Sequence, residues 1–228
     1  MCKILQAVQE CRDEMMSMHP DAMPTLNIGL PANLGAWLYD IALNGYKAVK
    51  PHVQIVMNDL GALEVLERIK DGTIELAFTV IDDPLDAELE YMILKKGSLS
   101  LLLSKDHPLS QKSTLTITEL ENEKIIMYKR GTTWIEKEIA QQFKTYNQTL
   151  SISMVAEQHL TLYNLVAKNM GISFTLDGKT AAIKNYKNIV VRNLYPSIQY
   201  NAGIVWNKNK SLSQASKHFL SYMSQYKL

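Results

Sequence analysis

The sequence predicts an α/β protein made of two similar lobes. Short apolar strands alternate with amphipathic helices from Thr25 to Val80, and the same order returns from Lys124 to Leu176. Each unit is followed by extended segments able to pass from one lobe to the other. The chain has 228 residues, 46% hydrophobic and 21% charged, enough to bury a core without a disulfide or structural metal.

Residues 1–20 read as a short helix with apolar side chains at Ile4, Val8, Cys11, Met15 and Met18, a four-three-four-three spacing that fits a heptad seam. At about 1.5 Å per residue it is roughly 27 Å long, and a helix that short needs a partner surface in water. His19-Pro20 ends it, because the residue before proline is pushed out of helical geometry. Leu26–Leu30 then reads as a strand, Asn33–Val49 as a helix, Val53–Asn58 as a strand, Ala62–Lys70 as a helix and Ile74–Val80 as a strand. Such an order implies right-handed crossovers and a parallel sheet with helices on both faces.

The second unit runs through a strand at Lys124–Tyr128, a helix at Thr133–Tyr146, a strand at Leu150–Ala156, a helix at His159–Asn169 and a strand at Gly171–Leu176. Thr133-Trp134-Ile135-Glu136 fits a capping box that starts its helix. Leu89–Leu94, Leu99–Leu103, Ile189–Val191 and Tyr200–Trp206 read as the linking strands, and Ser213–Tyr226 as a final helix. The organisation expected is a linker helix at 1–20, one lobe from 25–98 and 200–228, and a second from 99–199.

Composition narrows the function. The 24 basic and 23 acidic residues leave a net charge of +1, whereas a domain that grips nucleic acid carries a basic excess on one face. No apolar run reaches the roughly 20 residues of a membrane span, and charges interrupt the amino terminus where a secretory signal is apolar. Both cysteines, Cys2 and Cys11, fall in the first eleven residues, which points to a reducing cytoplasm. Phosphate-loop, dinucleotide, zinc-protease and nucleophile-elbow motifs are absent, so no catalytic residue, metal or cofactor is assigned.

Ligands of open parallel sheets collect beyond the carboxyl ends of the strands, where helix amino termini offer unpaired N–H groups. Six loops occupy such places here: Pro31 to Leu34, Asp59 to Gly61, Thr79 to Ile81, Lys129 to Thr133, Glu157 to His159 and Thr175 to Asp177. Their hydroxyl, amide and basic groups suit a small anionic ligand. Arg130 is singled out because only four of the 24 basic residues are arginines, and arginine alone clamps a carboxylate in bidentate fashion. His159 is the one histidine kept as a ligand contact, while His107 reads as a turn residue and His52 and His218 as surface positions. Trp37, Trp134 and Tyr163 either line an aromatic subsite or fill the core.

Five stretches, LNIGLPANLGAWLYDIALNGYKAVKPHVQI, LEVLERIKDGTIELAFT, LLLSKDHPLS, LYNLVAKNMGISFTL and AGIVWNKNKSLSQASKHFLSYM, resemble in order and spacing the effector-binding domain of LysR-type transcriptional regulators, from Thr25 to Tyr226. One departure is Glu75-Leu76-Ala77-Phe78, where the family usually carries Asp-x-x-Ile/Val. The resemblance implies a fold like type 2 periplasmic binding proteins, two Rossmann-like lobes joined by crossover strands, with an inducer in the cleft. The positions it marks as ligand-binding are Ala32, Asn33, Leu34, Thr79, Val80, Arg130, Thr132, Thr133, Gln158, His159 and Thr175. It also makes the opening helix resemble the end of a linker helix that pairs subunits, so a homodimer or homotetramer is expected. DNA would be bound only through a winged helix-turn-helix that precedes such a linker in the family and is missing here, through truncation or in nature. A solute-binding protein serving a transporter, and an enzyme on the same fold, are the competing readings.

Overall fold

The computed structural model describes residues 23–31, 34, 43–82, 85–176 and 181–225. The opening helix, Ala32, Asn33, Trp37 and most of the helix expected from Asn33 lie outside the described residues.

The first sheet holds β1 (Thr25–Leu30), β2 (Gln54–Asp59), β3 (Leu76–Ile81), β4 (Leu89–Ser98) and β11 (Gln199–Asn207), in the order β2-β1-β3-β11-β4. β3 lies at its centre and is buried along its whole length, as an apolar run covered on both faces requires. Alternate residues go to opposite faces. Ala77 and Ile81 join Val65 and Ile69 of α2 (Ala62–Asp71), while Leu76 and Phe78 belong to the main core with Phe219 of α6 (Gln214–Ser224). Phe219 stands edge-on to Tyr46 of α1 (Gly45–Val49), with ring centroids 5.0 Å apart, and to Phe78 at 6.2 Å. α2 ends at Gly72, whose φ of 81° is the left-handed geometry that closes a helix without a Cβ penalty.

The second lobe combines β6 (Thr114–Leu115), β10 (Ile189–Leu194), β5 (Ser100–Ser104) and β9 (Ser173–Thr175), in that order, with a parallel pair of β7 (Ile125–Tyr128) and β8 (Ile152–Ala156). A parallel bridge between Ile125 and Ile172 joins the two groups. The helices α3 (Trp134–Thr145) and α4 (His159–Ala167) pack on these strands through Ile135, Ile139 and Phe143, and through Leu162, Tyr163 and Val166; a short α5 (Ala181–Lys184) precedes β10.

The parallel pairing expected of each strand–helix unit holds for β1, β2 and β3 and for β7 and β8, while the linking strands make the sheets mixed. β11 runs antiparallel to β3 and β4, and β5 runs antiparallel to β9 and β10. The reason is topological: β4 leads out of the first sheet into β5, and β10 leads back into β11, so outgoing and returning strands lie side by side in opposite directions. The Leu99 N–H donates to the Ile198 carbonyl at 2.9 Å and ties the two crossings together. The capping box at Thr133 is half formed. Thr133 Oγ1 accepts from the Glu136 N–H at 3.4 Å, but the Glu136 carboxylate accepts from the Gly131 N–H instead of that of Thr133.

Candidate functional site

The carboxyl ends of β1, β2 and β3 face those of β7 and β8 across a cleft, and the two rims touch. The Lys129–Thr132 turn is closed by its own hydrogen bonds, Thr132 N–H and Thr132 Oγ1 both donating to the Lys129 carbonyl at 3.1 and 2.6 Å. Gly131 adopts φ 79°, and the turn thereby presents the Thr132 carbonyl outward, where it accepts from the Ala62 N–H at 2.9 Å. That N–H is one of the unpaired donors at the start of α2, so one lobe completes a helix terminus of the other. Leu63 packs against Gly131, and Lys137 of α3 forms an ion pair with Asp82 beyond β3.

Beneath the rims the crossing strands form the floor. Thr79 and Thr175 are both 4% exposed; Thr79 lies opposite Gly203, and Thr175 opposite Ser100. Trp134, at the start of α3, stacks at a tilt on Tyr200 with centroids 6.3 Å apart, and the Tyr200 hydroxyl donates to the Leu176 carbonyl at 3.5 Å. Leu34 and Val80 are buried in the main core. Arg130 is exposed, and the Lys129 ammonium is 2.6 Å from the Glu157 carboxylate, which its hydrogen bond holds below the usual carboxylate range. Lys129 is therefore not a free cation for an anion.

Gln158 and His159 open α4. Gln158 is exposed and its side chain does not cap the helix. His159 stands edge-on to Tyr163, with centroids 5.6 Å apart. Burial holds its imidazole below the ordinary histidine value, against the opposing pull of Asp59 at the end of β2. Its Nδ1 is buried without a hydrogen-bond partner, and so is the hydroxyl of Tyr128, the last residue of β7. Burial, reinforced by the charge Tyr163 can carry, pushes the Tyr128 phenol far up, so it stays neutral at any working pH.

The structure thus gathers Thr132, Thr133 and Arg130 on one rim, Gln158 and His159 beside it, and Thr79 and Thr175 on the floor. Leu34 is buried in the main core, and Ala32 and Asn33 fall outside the described residues. Tyr128 escaped sequence reasoning because KIIMY reads as an apolar strand whose tyrosine simply extends the core. One signal was available: the helix at His159 is preceded by Glu-Gln rather than by the Ser, Thr, Asp or Asn that satisfies a helix start.

A surface groove of about 610 Å³ lies elsewhere, lined by His107, Glu123, Lys124, Ser153 and Met170 among others. It sits at the amino-terminal ends of β7 and β8, opposite the cleft. His107 Nδ1 accepts from the Leu109 N–H at 3.2 Å, which leaves Nε2 to donate to Glu123 at 3.1 Å, so His107 serves a turn, as the sequence suggests. Among the described residues no group of acidic, histidine or cysteine side chains is placed to hold a metal, and no helix is long and apolar enough to cross a membrane.

Two α/β lobes, crossing strands and a cleft between strand ends define a two-lobed ligand-binding domain of the type 2 periplasmic-binding-protein kind. The family model for the LysR substrate binding domain matches residues 21–227, and the chain belongs to that family as the effector-binding domain of a LysR-type regulator. It is 23% identical over 220 residues to the HTH-type transcriptional regulator YybE of Bacillus subtilis (strain 168), a match covering 96% of this chain and 74% of that one. The effector binding domain of QuiR in complex with shikimate superposes with a TM-score of 0.78 at 20% identity, covering 90% of this chain and 99% of that one. The regulatory domain of Synechocystis PCC6803 CcmR in complex with 2-PG gives 0.80 at 17%, covering 89% and 96%. YybE is by name a transcriptional regulator, and none of these three relatives supports the transporter reading.

Proposed function

We propose that this domain senses a small anionic metabolite held between lobe 25–98 plus 200–228 and lobe 99–199. Its ligand is contacted by Arg130, Thr132, Thr133, Gln158 and His159 from one side and by the first lobe's strand ends, Ala32, Asn33, Leu34, Thr79 and Val80, from the other, with Thr175 on the floor. The supporting observation is the Ala62–Thr132 hydrogen bond: rims already one bond apart give a cleft ligand both walls at once. Ligand binding favours one placement of the lobes, alters packing in a homodimer or homotetramer, and so repositions DNA-binding heads carried outside this chain. Only a difference in affinity between the two placements drives such a shift. The protein acts in the cytoplasm as a sensor and not as an enzyme; the shikimate and 2-PG complexes of its structural relatives favour a small-molecule sensor.

A thermal-shift panel of metabolites finds the ligand, since a compound at 100 times its dissociation constant adds about 2.7 kcal/mol of stability. Arg130→Ala and Thr133→Ala then weaken its binding in calorimetry while the protein stays folded. Unchanged affinity in both variants refutes the site assignment.

A further inference from the structure

Among the described residues three helices start at the cleft, and two of them have their first turns occupied. The Ala62 N–H of α2 is bonded to the Thr132 carbonyl, and Glu64 supplies an acidic side chain to that turn. The start of α3 is capped by Thr133 Oγ1 and carries Glu136, whose carboxylate folds back on the Gly131 N–H. α4 differs from both: nine residues long, it has no side-chain cap and no acidic residue in its first turn. Its first turn therefore lacks both a cap and an acid of its own; of the nearby carboxylates, Glu157 is paired with Lys129 and Asp59 lies toward His159.

Tyr128 is the second observation. It is 3% exposed, and its hydroxyl has no hydrogen-bond partner. By register it pairs with Ala156, three residues before α4 starts, and it interacts electrostatically with Tyr163 one turn into that helix. A buried hydroxyl left unmatched costs about 1–3 kcal/mol, a cost that a ligand atom can remove. His159 Nδ1, buried and also unmatched, flanks the same turn and stands edge-on to Tyr163.

We propose that the first turn of α4, the Tyr128 hydroxyl and His159 Nδ1 form the carboxylate subsite of the cleft, so that the anionic end of the ligand is read by α4 and not by the Lys129–Thr133 turn. This rests on the reading of the cleft as the effector site and adds to it the chemical class of the bound group. Tyr128 donates its hydroxyl proton to one carboxylate oxygen, and the free N–H groups of α4 meet the charge. His159 takes up a proton and donates from Nδ1. Of the groups facing this imidazole, Asp59 from β2 favours the protonated form, and Tyr163 from α4 presents its ring edge-on.

The test is nuclear magnetic resonance on the whole chain with ¹⁵N-labelled histidine and backbone, titrated with acetate at constant ionic strength and, separately, with acetamide. Acetate is expected to give saturable shifts at the His159 ring nitrogens and at the Leu160 and Thr161 amides, acetamide none. Tyr128→Phe keeps the ring and the fold and should weaken the acetate response at least about ten-fold, the effect of losing a hydrogen bond to a charged group. Absence of saturable shifts at α4, equal shifts with acetamide, or an unchanged Tyr128→Phe titration overturns the subsite. If a neutral metabolite then protects both rims, the subsite fails while the cleft stands; if no compound protects the cleft, the wider reading fails with it.

Discussion

Contact between the rims at Ala62 and Thr132 makes the proposed shift between lobe placements accessible to one atom-level change. Ala62 is the first residue of α2, where proline is well tolerated because its missing N–H has no partner within the helix. Gly61, with φ −67° and ψ 154°, already has the extended geometry that a residue before proline requires. Ala62→Pro therefore deletes the donor to Thr132 and leaves the helix intact. A net hydrogen bond is worth about 1 kcal/mol, or about a five-fold change in the ratio of closed to open molecules. The proline ring adds to this, since its Cδ replaces a hydrogen where the carbonyl oxygen lies 2.9 Å from the nitrogen. Electron–electron resonance between spin labels at Glu67 and Gln141, exposed positions on facing lobes, reads the populations after Cys2 and Cys11 are changed to serine. The variant should show a broader, longer distance distribution at an unchanged melting temperature. An identical distribution refutes the idea that this bond holds the rims together, and a large loss of stability shows that proline broke the helix instead.

Two further outcomes test the fold. Phe219→Ala removes the ring that packs against Tyr46 and Phe78 and should cost about 3–5 kcal/mol in urea unfolding; a loss below about 1 kcal/mol contradicts its place in the core. Lys112, together with the Thr116 N–H and hydroxyl, lowers the Glu119 carboxyl from 4.5 to about 2, so its contribution is present above pH 4.5 and is lost as pH falls through the window toward 2. Glu119→Gln should flatten that acid limb by no more than about 1 kcal/mol, because the pair is partly exposed, and an unchanged limb removes Glu119 from the account.

The alternation of strands and helices was legible because each element carries its own pattern: Val65 and Ile69 mark one stripe of α2, Ile135, Ile139 and Phe143 one stripe of α3, and Ser213 the start of α6. The parallel direction of β1, β2 and β3 and of β7 and β8 was legible from that alternation, but the direction of the linking strands was not. Nothing in Tyr200–Trp206 distinguishes a returning strand from a parallel one, since direction is set by the lobe the chain arrives from. β9 was legible only as an apolar run, and its three residues bond to β5 because Thr175 falls opposite Ser100. The loops of the site were found from the rule that ligands gather at strand ends. Which polar groups in them are already spent was not, because that depends on bonds such as Thr133 to Glu136, Lys129 to Glu157 and Thr132 to Ala62. Tyr128 shows the same limit: a tyrosine in an apolar strand reads as core, and only the structure reveals that its hydroxyl is left without a partner.

On the proposed reading, a ligand bound between the lobes joins them. Hydrogen exchange of the whole chain, measured with and without the compound that stabilises it most in the metabolite panel, tests this most directly. Added protection is expected at both rims together, residues 59–62 and residues 129–133 with 157–161. Protection confined to one lobe, or to the groove between His107 and Gly171, contradicts it.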